Sequence, residues 1–231
     1  MDPRARLTAG QVAAREGRYE EALREYAWFH DHALEHQQSL YGVRLSFALS
    51  YWMDLAKDYP EARRKLEEIR DRKTEELVSG SGDRELFHDV RSINYYLGEE
   101  DKTYKLFITM LDRAPLLAPT CAGLAMEAIV KAGDFVLAER YCDPTEDALI
   151  RYSDQLNEDV ADLTGDRRRK AATLDAYIHI YCDRVGTRMA ILKGLGRSEE
   201  AALCREWAEL LVESAAVRKR VAQKLADAYD A

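Results

Sequence analysis

Gly17-Arg18-Tyr19-Glu20-Glu21-Ala22, followed by Tyr26, reads as an elbow between two helices. The glycine can leave a first helix in the left-handed conformation that ends helices at little cost. The tyrosine fills the elbow. The two glutamates stand in the first turn of a second helix, where the dipole favours negative charge. Small Ala22 lets the helices approach, and Tyr26 packs back on the partner. The phrase recurs in degenerate form: Lys57-Asp58-Tyr59-Pro60-Glu61-Ala62 before Leu66, Gly98-Glu99-Glu100-Asp101-Lys102-Thr103 before Phe107, Gly133-Asp134-Phe135-Val136-Leu137-Ala138 before Cys142, and Gly196-Arg197-Ser198-Glu199-Glu200-Ala201. A repeated phrase of this kind bears on the whole architecture rather than on one element.

Between the elbows the apolar spacing is helical. Ala22, Leu23, Tyr26, Ala27 and Phe29 follow the i, i+3, i+4 rhythm, and Leu203, Trp207, Leu210 and Leu211 repeat it. No convincing period-two stretch occurs. The 12 glycines and 5 prolines are too few for the turns of an all-β fold. Breaks fall at residues 58–60, 79–83, 115–119, 143–144 and 164–166. Asp143 is expected to cap a helix with Pro144 at its first position. An all-α chain of about ten to twelve helices is the expectation, and the 33% share of charged residues suits solvated helix faces.

These residues resemble the tetratricopeptide repeat. The first unit carries Gly10, Gly17, Tyr19, Ala22 and Tyr26, and the third carries Pro115 at the family's offset from Gly98. The resemblance implies a right-handed superhelical array of antiparallel helix pairs, with units near 4–36, 40–78, 84–115 and 119–142. Residues 143–231 would be C-terminal helices that continue or cap the array. The anchors at 17, 57, 98, 133 and 196 are spaced by 40, 41, 35 and 63 residues, against a family period of ~34. The stretched spacings call for longer helices, and the widest gap for extra helices near 145–163 and 167–195. Arg91 and Met126 stand where the family prefers small residues.

Composition excludes several functions. A net charge of −8 argues against general nucleic-acid binding. The clusters Arg167-Arg168-Arg169-Lys170 and Arg218-Lys219-Arg220 sit among acidic neighbours and read as solvated faces or helix ends. Cys121, Cys142, Cys182 and Cys204 form no C-x-x-C pair and read as reduced packing thiols. No apolar run approaches the ~20 residues of a membrane span. A cytoplasmic protein without a cofactor is expected.

No P-loop, nucleophile elbow or H-E-x-x-H motif is present. The most tempting chemical cluster is His30, His32 and His36. His32 and His36 are four apart and could face one metal, whereas His30 points away from them. An outer polar stripe of ordinary histidines is the simpler reading. Paired carboxylates such as Glu67-Glu68 follow from amphipathic helices and have no apolar pocket to separate their pKa values.

If the units stack as the resemblance implies, their first helices line a groove. Counting back from each turn places Gln11 and Arg15, then Arg44, Phe47, Tyr51 and Asp54, then His88, Ser92 and Tyr95, then Glu127 and Lys131 on that face. Of these, Phe47 and Tyr51 are the most exposed to being absorbed by the core. Arg15 and Arg44 are the pair expected to take an acidic group. The expected function is a non-catalytic scaffold or adaptor that binds a peptide or protein segment. A bacterial peptide-responsive regulatory sensor and a metal-dependent enzyme are the alternatives. The C-terminal helices offer apolar spacing for a homodimer.

Overall fold

Gly17, Gly98, Gly133 and Gly196 adopt φ of 77°, 72°, 77° and 76°. That is the left-handed region that glycine enters without a Cβ penalty. The second phrase has no glycine and turns differently. Tyr59 leaves its helix at φ −133°, and Pro60 opens the next one, where a missing N–H costs nothing. The small position after every elbow is sealed: Ala22, Ala62, Thr103, Ala138 and Ala201 are all buried. So are Tyr26, Leu66 and Phe107 one turn later. The repeated phrase is therefore a repeated packing device.

The computed structural model describes residues 2–229, and all regular structure among them is helical. The helices are α1 (Pro3–Arg15), α2 (Tyr19–His36), a 3-10 turn (Gln38–Leu40), α3 (Tyr41–Leu45), α4 (Phe47–Asp58), α5 (Pro60–Val78), α6 (Arg84–Leu97), α7 (Asp101–Arg113), α8 (Ala118–Lys131), α9 (Phe135–Arg140), α10 (Thr145–Ala161), α11 (Arg167–Gly194), α12 (Ser198–Leu210) and α13 (Ala215–Tyr229). Side-chain caps satisfy several first-turn amides. Asp2 accepts from Arg4 N, Asp83 from Leu86 N, Asp134 from Leu137 N and Asp166 from Arg169 N. Among the described residues no helix is long and apolar enough to cross a membrane. The side chain of Arg167 and the last residues of the chain lie outside the described residues.

The chain divides into two compact units, residues 1–128 and 129–231. In the first, the Gly17 elbow folds α2 back on α1. Arg6 stacks over Trp28 while Gly10 lies against Tyr26, so residue numbers rise on one helix as they fall on the other. Tyr26, Phe29, Leu49, Trp52 and Leu66 form the heart of this core. The Trp52 indole donates to Ala62 O at 2.8 Å, which lets a large ring be buried without an orphaned donor. At ~25 cal/mol per Å² of apolar surface, each such buried side chain stabilises the unit by roughly 1.5–3 kcal/mol.

The second unit packs α10, α12 and α13 around α11. Its core joins Leu149, Leu156, Tyr181, Val185, Met189, Val221 and Leu225. The Tyr181 hydroxyl donates to Ala208 O at 2.6 Å and lies 2.9 Å from Ser153 Oγ. Asn157 pins the link before α13, donating to Leu211 O and accepting from Glu213 N, each at 3.0 Å. Burial pushes the thiols of Cys182 and Cys204 up to about 11. Cys121 and Cys142 are raised for the same reason.

Two sequence expectations shift. The division falls at residue 128 rather than 142, because α9 packs on α11: a Cβ at Gly194 would stand 2.2 Å from the Phe135 ring. The expected Asp143 cap moves on by one residue. Pro144 is the N-cap of α10, and Asp143 is paired with Arg151 instead. Val212 and the two residues after it form the link between α12 and α13. The extra helices expected in the long gap are α10 and α11.

Candidate partner-binding groove

In the first unit α3 walls one cavity and α4 another. One, of about 370 Å³, is walled by Tyr41 and Leu45 of α3 and by His88, Arg91, Ser92, Tyr95 and Tyr96 of α6, with Glu100, Thr103 and Glu127 at its edge. His88, Ser92 and Tyr95 fall at i, i+4 and i+7, so one face of α6 supplies most of the wall. Ser92 is buried at 8% exposure, whereas Tyr95 is 60% exposed.

This cavity is held in shape by its own polar contacts. The Tyr41 hydroxyl lies 2.9 Å from His88 Nδ1. Burial lowers the His88 pKa, with Arg91 adding to the effect. Burial raises that of Tyr41, with Asp89 and Glu85 adding to it. Both groups are thus neutral at pH 7. One hydrogen bond joins the phenol to Nδ1, its direction set by the imidazole tautomer. Arg91 Nη2 donates to Glu127 at 2.8 Å. The Tyr95 and Tyr96 rings meet edge to face, with centroids 5.3 Å apart, a favoured aromatic geometry.

The second cavity, also about 370 Å³, is walled by Gln11 and Arg15 of α1, Tyr19 and Tyr26 of α2, and Tyr51, Asp54 and Asp58 of α4. Tyr26 is pushed up to about 12, by burial first and then by Asp54. Tyr19 stacks on Tyr59 at 5.9 Å. A neighbouring hollow of about 490 Å³ shares Gln11 and Tyr51 with this cavity and adds Leu7, Val43 and Phe47.

Of the eleven residues counted onto the groove face, eight line these two cavities, Gln11, Arg15, Tyr51 and Asp54 in one and His88, Ser92, Tyr95 and Glu127 in the other, and Phe47 lines the neighbouring hollow. The other two do not. Lys131 is exposed and belongs to the second unit. Arg44 is a correction. It is buried, with Nη1 and Nη2 donating to Asp89 Oδ1 and Oδ2 at 2.5 Å and Nε donating to His30 O at 2.6 Å. Where it borders a smaller cavity of about 250 Å³, Asp89 lies beside it. Lys73 shares Asp89. Burial would raise the Asp89 carboxyl, but Arg44 and Lys73 hold it low.

Phe47 is the converse case. Placed on the groove face, with the core as the competing reading, it is 62% exposed and lines the neighbouring hollow. One backbone feature explains both. Counting back from the turn assumes one continuous helix, but Ser46 at φ −127°, ψ −89° breaks it. Its hydroxyl donates to Gly42 O at 2.6 Å. The break turns Arg44 inward and leaves Phe47 outside. It also brings Tyr41 to the cavity, which sequence counting missed along with Tyr96, Glu100 and Asp58. Gly42 and Ser46 were the available signal, since Gly and Ser mark many helix kinks.

The histidine cluster comes apart. His30, expected on the outer stripe, is 1% exposed, meets Trp52 edge to face at 6.2 Å, and has no partner on either ring nitrogen. His36 stacks on Trp28, His32 meets the same ring tilted at 41°, and His32 Nδ1 lies 3.2 Å from Glu35. Among the described residues no group of three or more His, Cys, Asp or Glu is placed to hold a metal ion. The basic clusters are partly engaged: Arg218 donates twice to Val212 O, and Arg220 pairs with Asp175.

Comparison with family models, curated proteins and solved structures gives no match.

Proposed function

We propose that this chain is a non-catalytic interaction scaffold whose first unit binds a peptide or protein segment along α1, α4, α6 and α8. The elbow phrases favour stacking of the helix pairs as a tetratricopeptide-like right-handed array. The observation that carries the reading is this: residues from four helices, selected by repeat position, line two cavities, one walled in part by α3 and the other by α4. Tyrosine rings supply contact area at low entropic cost, and Gln11, Ser92 and His88 supply hydrogen-bonding groups that can fix an extended backbone. Self-association through the C-terminal helices belongs to the same proposal. It is supported by Leu203, Trp207 and Leu210, which stand exposed at i, i+4 and i+7 on α12.

The test is affinity capture from the native host followed by mass spectrometry. Wild type is compared with Tyr51→Ala/Tyr95→Ala, one change in each cavity. A partner recovered by wild type and lost by the variant supports the groove. Equal recovery of every partner removes it.

A further inference from the structure

In the cavity walled by α3 and α6, Ser92 differs from the polar groups around it. It is 8% exposed, against 60% for Tyr95 three residues on, so it sits at the floor and Tyr95 at the mouth. Its hydroxyl has no hydrogen-bond partner among the described residues. It is not sealed in the core as the His30 ring nitrogens are, so it opens onto the cavity. Its polar neighbours are engaged. Tyr41 meets His88 Nδ1 at 2.9 Å, Thr103 Oγ1 accepts from Asn94 at 3.1 Å, and Ser46 donates to Gly42 O. The charges of the wall are compensated as well: Arg91 donates to Glu127 at 2.8 Å, and Glu100 also has a partner. The rings of the wall are those of Tyr41, His88, Tyr95 and Tyr96.

Resting on the groove reading above, we infer that this cavity seats one uncharged aromatic side chain with a polar handle, a tyrosine or tryptophan of the bound segment. Its hydroxyl or indole N–H reaches Ser92 Oγ. Each part of the lining narrows the occupant. Aromatic walls favour a ring, because offset and edge-to-face contacts add to the gain from burial. A charged side chain gains no net attraction from a wall whose charges are already paired, yet it loses its own hydration. A phenylalanine or an aliphatic side chain would cover Ser92 and leave a buried hydroxyl unsatisfied. Tyrosine and tryptophan combine an apolar body with one hydrogen-bonding atom and meet all three conditions. The volume of about 370 Å³ lies at the small end of the ~300–1,000 Å³ range of ligand sites and suits a single ring. The backbone of the segment then crosses the mouth at Tyr95.

The experiment is selection of a random displayed peptide library on the full chain. The enriched peptide is titrated by fluorescence anisotropy against counterparts with Phe or Ala at the aromatic position. Wild type and Ser92→Ala are compared, with thermal melts confirming that the variant folds. Enrichment of Tyr or Trp at one position is expected. On wild type the Phe counterpart should bind about fivefold more weakly, and the Ala counterpart at least about thirtyfold more weakly. The ratio of parent to Phe counterpart should be the same at low and high salt, as a neutral contact requires. Ser92→Ala should weaken the parent about fivefold and leave the Phe counterpart unchanged. Equal weakening of both would give Ser92 a merely structural role and overturn the inference. Enrichment without Tyr or Trp also overturns it. So does displacement of the peptide by free p-cresol or 3-methylindole at the peptide's own concentration, which would make the cavity a small-molecule site. Failure to enrich any peptide over a support without protein overturns the inference alone where capture from the host still depends on Tyr51 and Tyr95, and the groove reading with it where capture does not.

Discussion

Arg44 and Asp89, 45 residues apart in the chain, form a two-bonded ion pair with both bonds at 2.5 Å, and each is less than a tenth exposed. The pair ties α3 to α6 beneath the groove. Lys73 of α5 makes the same carboxylate serve two cations. Burial lowers the Lys73 pKa, and Asp89 opposes that fall.

Removing the shared anion is therefore expected to cost more than removing one cation. Asp89→Ala leaves Arg44 and Lys73 buried without compensation and should lower stability by about 3–5 kcal/mol. Lys73→Met leaves the better-bonded Arg44 pair intact and should cost clearly less. Urea unfolding followed by circular dichroism checks the order, and equal losses would count against the shared-anion account.

His30 makes stability depend on pH. Burial, then Arg44, Lys73 and Arg72, push its pKa well below 6.5, with Asp89 opposing. The folded state then holds it neutral while the unfolded state takes up a proton. Its contribution is complete above about pH 6.5 and is lost as pH falls, at ~1.4 kcal/mol per pH unit. His88 is lowered too and acts in the same sense. Between pH 7 and 5 the Tm of wild type should fall further than that of His30→Leu. At pH 7 the variant should be no less stable, because it removes two ring nitrogens that have no partner. A parallel decline in the two proteins would contradict this.

Gly10 is a contact position. A Cβ there would stand 2.6 Å from Tyr26 Cε1, and that ring is buried beside Trp52. Gly10→Ala should lose about 1–3 kcal/mol to overpacking, although alanine is the better helix former. A rise in Tm would show that Tyr26 gives way freely.

Phe47 and Tyr95 should separate binding from folding. Both are mostly exposed, so Phe47→Ala and Tyr95→Ala should change stability by no more than about 0.5 kcal/mol. Tyr95→Ala should nevertheless weaken any captured partner. A folded variant that binds like wild type would place the contact surface elsewhere.

The exposed stripe on α12 gives a mass prediction. Light scattering should return twice the 26.4 kDa of the chain, and Leu203→Glu/Leu210→Glu should return the single-chain mass. A single-chain mass for wild type removes the homodimer.

Helices, elbows and sealed small positions were legible because they are local. Gly17 ends its helix through its own φ, and Ala22 is buried because the turn five residues earlier puts it there. Much of the groove was legible for the same reason, since Gln11, Arg15, His88, Ser92 and Tyr95 each lie on one uninterrupted helix whose 3.6-residue period carries the count from the turn. The count failed at Ser46, where a break changed which face each residue presents. What the amino-acid order determined by itself is the helical class and the elbow chemistry. Only the tertiary structure decided that Arg44 is a core cation, that Phe47 faces outward, and that α9 belongs with α11. Each of these depends on a partner distant in sequence or on a break in helical phase, and neither is encoded in residue spacing.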